Sequence, residues 1–286
     1  MRILHIDTGR QMRGGQWQVL RLLNGLAAAK VDNILLAPGG SPLFEKAASA
    51  GIDAQPVTPM NLLAPADLVH AHDARAHTLA AVAGRRPLVV SRRVAFPIHL
   101  GRLHRWKYGR AAQYVAVSDF VKQVMEAAGV PGDRISVIYD GVPPLPASAG
   151  GDRILAPQPS DDKPASLYPP GVHFAAELEK ELHSAAMFLY LTRCEGLGSG
   201  ILLAMSAGVP VIASKIGGVP EIIRHEWNGL LVDNTPESVA AAIRRLREDP
   251  EFARLLAGRA RRTIEEKFSL DMMVQKTLAL YQQVLG

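Results

Sequence analysis

The sequence predicts an α/β protein of two domains, each a parallel sheet with helices on both faces. Three observations lead there. Short apolar runs recur along the chain, such as RILHID at 2–7 and PLVVS at 87–91, without the polar alternation of a half-solvated sheet. A strand that reads this way is buried on both faces, the usual condition of a parallel sheet. Helix-like stretches separate the runs, as parallel strands require for their crossovers. Near the middle, PPLPASAGG at 143–151 breaks the alternation with hinge residues, where a domain boundary is expected. The 286 residues, 48% of them hydrophobic, can bury two cores of ordinary size. The expected division is 1–145, 146–268 and a final helix, 269–286, crossing back to the first domain.

Taken in order, RILHID is followed by a helix that opens at Gly14-Gly15 and runs through QWQVLRLLNGLAAA. NILLAP, a PGGSP turn and the helix LFEKAASAG come next. LVHAH (68–72) leads into a helix over 74–83, and PLVVS and QYVAVS (113–118) are strands. Ser118 is placed to cap the helix DFVKQVMEAAG before the strand ISVIYDGV (135–142). This is the pattern of a Rossmann-like domain. Beyond the hinge stand RILAP, VHF, a helix over 176–185, MFLYLT (187–192), the apolar helix ILLAMSAG, VPVIAS (209–214), a helix entered near Glu221, and GLLV (229–232). Thr235-Pro236-Glu237 and Asp249-Pro250-Glu251 each read as N-cap, N1 proline and first-turn acid, starting helices over 236–247 and 250–266. LDMMVQKTLALYQQVL closes the chain as an amphipathic helix.

Composition narrows the classes. Every apolar stretch is cut by Gly or Pro well short of a bilayer span, and MRILHID lacks a signal-peptide h-region. Cys194 is the single cysteine, which excludes an internal disulfide and a multi-cysteine zinc cluster and fits a reducing compartment. A cytoplasmic protein is expected, in place on the inner face of the membrane if it is peripheral. The net charge of +5 is unevenly spread: residues 1–118 hold 15 Lys/Arg against 6 Asp/Glu, and 74–118 hold nine basic residues and no acid. Arg85, Arg86, Arg92, Arg93, Arg102, Arg105, Lys107 and Arg110 cluster there, with Phe96, Trp106 and Tyr108 interleaved. Arg92, Arg93, Arg102, Arg105, Trp106 and Lys107 are therefore the candidates for a surface meeting anionic lipid or an acidic acceptor. An ordinary solvated face is the alternative. No nucleic-acid-binding motif is present, so nucleic acid is not an expected partner.

The chemistry concentrates in EGLGSGILLAMSAG, from Glu195. In a parallel α/β sheet the loop after a strand's carboxyl end carries ligand contacts. Gly196, Leu197, Gly198, Ser199 and Gly200 lie in such a loop directly before a helix, where close-approaching N–H groups and the helix N-terminus suit a diphosphate. A tight turn of purely structural purpose is the competing reading. A second glycine pair follows the next strand, in KIGGVPEII, with Gly218 and Glu221.

This order of motifs resembles the retaining glycosyltransferases of the GT-B fold, especially family four. MRILHIDTGRQMRGGQWQVL, LVHAHDARAH, YVAVSDFVKQVMEAAGVPGDRISVIYDGV and FSLDMMVQKTLALYQQVLG are similar to that family as well, so the likeness extends over most of the chain. It implies two Rossmann-like domains facing across a cleft, an acceptor-side one and a nucleotide-sugar one. It implies that Gly14 and Gly15 approach the donor diphosphate and that His72 lies near the transferred sugar. Glu195 would contact sugar hydroxyls, residues 196–200 would hold phosphates, and Gly218 and Glu221 would complete the loop. Glu195 and His72 are thus the catalytic candidates, while His70 and Asp73 read as packing and capping. The donor is a substrate, so no cofactor is expected, and the absence of any Asp-x-Asp points away from a metal bridge.

Two departures from the family stand out. After Glu195 and seven intervening residues the family has a second Glu that binds ribose; here it is Leu203, which cannot accept those hydrogen bonds. Only 29 residues separate Val142 from Val172, where relatives have about two strand–helix units with an Arg and a Lys on the phosphates. The nucleotide-sugar domain is thus expected to be reduced, with Lys163 the one candidate clamp and Gln158 where the Arg would stand. Three functions follow: an active transferase in cell-envelope glycolipid or polysaccharide synthesis, a degenerate relative acting as a binding or scaffold module, or a nucleotide-sugar epimerase.

Overall fold

The computed structural model describes residues 1–84, 87–98 and 101–286. It divides into one unit made of Met1–Asp140 with Leu270–Gly286, and a second made of Gly141–Ser269. No helix among the described residues is long and apolar enough to cross a membrane.

The first unit runs β1 (Arg2–Ile6), α1 (Gly14–Ala28), β2 (Asp32–Ala37), α2 (Pro42–Ser49), β3 (Asp53–Pro56), β4 (Leu68–Ala71), α3 (Ala74–Ala83), β5 (Leu88–Arg92), α4 (Arg102–Gly109), β6 (Gln113–Ala116), α5 (Asp119–Ala127) and β7 (Ile135–Val137). Its seven strands are parallel in the order β3-β2-β1-β4-β5-β6-β7. Asp73 and Ser118 cap their helices as the sequence suggests, and Ser41 caps α2 in the same way, each accepting from a first-turn N–H. The unforeseen strand is β3. It has no apolar run to mark it, and it ends at Pro56, whose missing N–H is tolerated at a sheet edge.

Apolar side chains of α1, β2 and α2 form one cluster around Val19, Leu23, Leu35 and Leu43. A second joins Leu22 and Leu26 of α1 to Ile3, Leu68, Val89 and Val115 of the sheet. The chain's last helix, α11 in order (Leu270–Leu285), completes that second cluster with Met273, Val274, Leu280 and Tyr281. Its approach to α1 is close: a Cβ at Gly25 would lie 2.3 Å from Val274 Cγ2.

The second unit runs β8 (Arg153–Pro157), β9 (Val172–Ala175), α6 (Leu178–Glu181), β10 (Ala185–Tyr190), α7 (Ser199–Ser206), β11 (Val211–Ser214), α8 (Val219–Ile222), β12 (Leu230–Val232), α9 (Pro236–Glu248) and α10 (Pro250–Lys267). Its five strands are parallel in the order β12-β11-β10-β8-β9. The helix expected over 176–185 is replaced by the single turn of α6 and a 3-10 turn at Leu182–Ser184, because Ala185 already pairs with Arg153 in the sheet. The crossover from β8 to β9 contains only a 3-10 turn at Ala165–Leu167. All of Ile201–Ser206 is buried, which explains why α7 is apolar all round.

Each sheet contains a switch point, where strands leave in opposite directions and their carboxyl-end loops diverge into a crevice. In the first unit it lies between β1 and β4. In the second it lies between β8 and β10.

Candidate functional site

At the second unit's switch point, the loop after β8 brings Lys163 to the loop after β10, which carries Glu195. Residues 160–163 close a tight hairpin, Ser160 and Lys163 exchanging both backbone hydrogen bonds. Arg193 N and Thr192 Oγ1 donate to the Asp162 carbonyl at 2.8 and 3.1 Å, so one backbone bond and one side-chain hydroxyl tie the two loops together. Lys163 Nζ then lies 2.9 Å from Glu195 Oε2 and 5.0 Å from the centre of the Tyr190 ring. Tyr190 donates its hydroxyl hydrogen bond to the same Glu195 oxygen. Burial, with the Glu195 carboxylate beside it, pushes the Tyr190 hydroxyl well above its ordinary pKa. The tyrosine therefore stays a donor and holds the carboxylate in place.

Glu195 Oε1 accepts from Gly196 N at 3.1 Å. Its main-chain carbonyl accepts from Gly218 N at 3.2 Å, which docks the KIGGVPE turn onto the EGLGSG loop. The docking depends on Gly217: it has φ +56°, and a Cβ there would stand 2.0 Å from the Glu195 carbonyl oxygen. In the first loop Gly198 has φ +112° at the head of α7, so part of the glycine pattern serves backbone geometry. Leu197 is buried, Ser199 and Gly200 are half-buried in the first turn of α7, and Glu221 stands in the single turn of α8. Leu203 is 7% exposed, so a carboxylate at this position would enter an apolar interior.

At the first unit's switch point, Asp7 ends the run from β1 and His72 the run from β4. Asp7 accepts from Gly9 N at 2.8 Å and from Gln16 Nε2 at 3.1 Å, and burial raises its pKa. Asp73 caps α3 and takes hydrogen bonds from Thr8 N and Thr8 Oγ1, so its reading as a capping residue describes its contacts. His72 lines a cavity of about 330 Å³ together with Asp7, Gly15, Gln16, Arg92 and Arg93. Gly14 opens α1 beside it. A Cβ at Gly15 would sit an ordinary 3.8 Å from Arg93 Cδ, so packing alone does not demand glycine there. A second cavity, about 470 Å³, lies outside the carboxyl ends of β1, β2 and β3; Arg10 and Arg75 line it and no carboxylate does.

The six residues assigned to a basic or acceptor surface fall into three settings. Arg93 Nε pairs with Asp140 Oδ1 at 3.1 Å, and Arg92 reaches Tyr108 and the Phe96 carbonyl, so both belong to the cavity wall. Lys107 is half-buried, its Nζ 3.4 Å from Thr78 Oγ1. Arg102, Arg105 and Trp106 are exposed on α4, a helix with no buried residue. Arg85 and Arg86 lie outside the described residues.

Tyr190, Gly217 and Asp7 are the residues that sequence reading passed over. Tyr190 sits within an apolar strand run, Gly217 stands beside Gly218 with nothing in the sequence to single it out, and Asp7 reads as the polar end of RILHID, ahead of the Gly14-Gly15 pair.

Comparison with known proteins adds the family. Residues 12–144 match the model described as Glycosyltransferase Family 4, and residues 158–249 match that described as Glycosyl transferases group 1. An uncharacterized glycosyltransferase of Methanocaldococcus jannaschii is 35% identical over 106 residues, 37% of this chain and 27% of that protein. The N-acetyl-alpha-D-glucosaminyl L-malate synthase of Bacillus anthracis is 34% identical over 100 residues, 35% of this chain and 26% of that protein. The matched stretch thus spans about a quarter of the length of these curated relatives. Among solved structures, Anabaena HepE in complex with UDP-glucose is similar with a TM-score of 0.86, over 99% of this chain and 100% of that one, at 18% identity. At that identity the likeness is one of fold.

Proposed function

The chain belongs to the GT-B glycosyltransferases of the family-four type, and on that premise we propose that it moves a sugar from a nucleotide-sugar donor to an acceptor hydroxyl with retention. The observation that carries this reading is the convergence of Lys163, Glu195 and the glycine loop at the switch point of the second sheet. A lysine ammonium has three donors; one is taken by Glu195, leaving two for phosphate oxygens. The N–H groups at the head of α7 add further donors and a partial positive charge. When the bond from sugar to diphosphate breaks, charge builds on the leaving phosphate, and these groups are already oriented to meet it. The Glu195 carboxylate, fixed by Tyr190 and Lys163, accepts from sugar hydroxyls. The cation comes from the chain itself, so the reaction is proposed to run without a divalent metal.

Calorimetric titration with UDP, GDP and ADP, with and without EDTA, tests this. Binding of one of them, unchanged by EDTA and weakened at least tenfold in Lys163→Met, is the expected result. Binding lost with EDTA would refute metal independence. The buried Leu203, which cannot accept from ribose hydroxyls, favours one second reading, a degenerate, donor-poor relative acting as a binding or scaffold module. Release of nucleoside diphosphate from a panel of nucleotide sugars distinguishes the two.

The acceptor is proposed to be anionic or lipid-linked, used in cell-envelope synthesis at the inner face of the membrane. The acid-free cavity with Arg10 and Arg75 supports an anionic group. Helix α4 supports a lipid surface: Leu103 is 75% exposed and Trp106 42%, with Arg102, Arg105 and Arg110 around them. A helix that presents apolar tips and cations together is suited to an anionic headgroup layer. Each cation there contributes about 1 kcal/mol. Sedimentation with phosphatidylglycerol vesicles is expected to capture the protein, to weaken with salt, and to fall in the double variant Arg102→Glu, Arg105→Glu. Equal capture by neutral vesicles, or none at low salt, would leave a soluble acceptor.

A further inference from the structure

Beneath His72 lies a buried chain of polar groups that neither unit's proposed chemistry uses. His5 Nδ1 is 3.0 Å from His72 Nε2, and His5 Nε2 is 3.2 Å from Asn33 Oδ1. All three residues are buried, and the His5 and His72 rings stack nearly parallel, 7° apart. His70 is beside them but makes separate hydrogen bonds, to Ser91 Oγ at 2.8 Å and to the Tyr281 hydroxyl. His72 Nδ1, in contrast, is buried and has no partner.

The proton positions along this chain follow from its one fixed end. Asn33 Nδ2 donates to the Val31 carbonyl at 2.8 Å, and a carbonyl can only accept. The amide is therefore oriented with its oxygen towards His5. His5 Nε2 must carry a hydrogen to meet that oxygen. Burial depresses His5 to about 4, so its ring is neutral and its Nδ1 is bare. A bare Nδ1 needs a donor, which makes His72 Nε2 the protonated nitrogen. Burial, reinforced by His70, His5 and Arg93, holds His72 well below the ordinary imidazole value, so this ring too is neutral. Its remaining nitrogen, Nδ1, is left with a lone pair and no hydrogen.

We infer that Asn33 and His5 are positioning residues that lock His72 as the Nε2–H tautomer, so that His72 offers Nδ1 solely as a hydrogen-bond acceptor and takes a ligand hydroxyl rather than a phosphate oxygen. A phosphate oxygen has no hydrogen to give to that lone pair, whereas a sugar or acceptor hydroxyl does. Anions in the same cavity fall instead to Arg93, whose Nη1 is buried without a partner. The hydroxyl half of this inference rests on the glycosyl-transfer reading; the tautomer lock does not.

The three histidines could also be read as a metal site, since one ligand atom of each lies within 4.8 Å of the others. Both ring nitrogens of His5 and of His70 already have hydrogen-bonding partners, which argues for the hydrogen-bonded chain over a metal site.

The test needs no substrate. Long-range ¹H–¹⁵N spectra of the full chain labelled in histidine should show His72 protonated at Nε2 and bare at Nδ1. In Asn33→Leu, which removes the fixed acceptor, His72 should populate both tautomers. A hydrogen on Nδ1 in the wild type would overturn the lock, as would an unchanged single tautomer in Asn33→Leu. Stoichiometric zinc in the purified protein would also overturn it. If Asn33→Leu fails to fold, the wild-type spectrum still decides. Adding a binding nucleotide sugar should shift His72 Nδ1, whereas the nucleoside diphosphate alone should not. A shift with the diphosphate alone would overturn the hydroxyl assignment while leaving the transferase reading intact.

Discussion

Glu195→Gln is expected to lower sugar transfer by about 10²–10³-fold while the protein melts within a few degrees of the wild type. The amide keeps one oxygen for the Tyr190 hydroxyl, so the buried phenol retains its acceptor. What it loses is the charge opposite Lys163 and the second acceptor oxygen. With the one oxygen kept for Tyr190 and Lys163, the NH₂ stands where Oε1 accepts from Gly196 N, which sets donor against donor in the loop, and Lys163 faces a neutral oxygen in place of a charge. Glu195→Ala is the informative contrast. It strands the Tyr190 hydroxyl, and a buried donor without a partner costs about 1–3 kcal/mol. The alanine variant should therefore lose stability as well as activity, and the glutamine variant activity alone. Near-normal turnover in Glu195→Gln would mean that the carboxylate only braces the loop. Initial rates and thermal melts of the two variants side by side settle the matter.

Gly217→Ala should be the most damaging single methyl in the second unit. Its Cβ would fall 2.0 Å from a backbone oxygen, which no rotamer change relieves. The left-handed backbone adds about 1–2 kcal/mol for any L side chain. The strain is relieved only if the Glu195 main chain moves, and that carries the carboxylate and the head of α7 with it. A displacement near 1 Å at a reacting centre costs on the order of a hundredfold in rate. The expected result is a lowered melting temperature together with at least tenfold weaker nucleotide binding by calorimetry. Gly258→Ala is the control, since no atom lies near the position of its missing Cβ. Unchanged binding in Gly217→Ala would show that the two loops are not coupled.

Much of this architecture is legible from residue pattern. The helix from Ala74 to Ala83 and the capped start at Ser118 follow from local signals, an Asx or Ser cap before a helical run. Glu195 and its glycines were found because a parallel sheet places loops of that kind at its carboxyl edge. The misses have a common physical origin. Tyr190 and Asn33 act through side chains that point away from an otherwise apolar strand, and apolar runs record burial, not the partner that a polar group meets there. Residues 176–185 read as a helix because their local propensity is helical, whereas pairing of Ala185 with Arg153 decides the outcome. Lys163 stands out in the sequence only for want of another lysine; its place beside Glu195 depends on a hairpin, one backbone bond and the Thr192 hydroxyl, which no spacing rule expresses. Charge alone groups Arg92 and Arg93 with the outer face, while the carboxyl end of strand β5 delivers them to the cavity.

The last helix belongs to the first unit, and this sets an order of assembly on the ribosome. The second unit, Gly141–Ser269, is one continuous piece of chain and can condense as soon as it emerges. The first unit begins earlier but must wait for α11 to cover Leu22 and Leu26. The 129 residues of Gly141–Ser269 take roughly 6–26 s to synthesise at about 5–20 residues per second. For that interval a strip of aliphatic surface on the nascent first unit has no cover, a natural foothold for a chaperone, and the half made first is the half finished last.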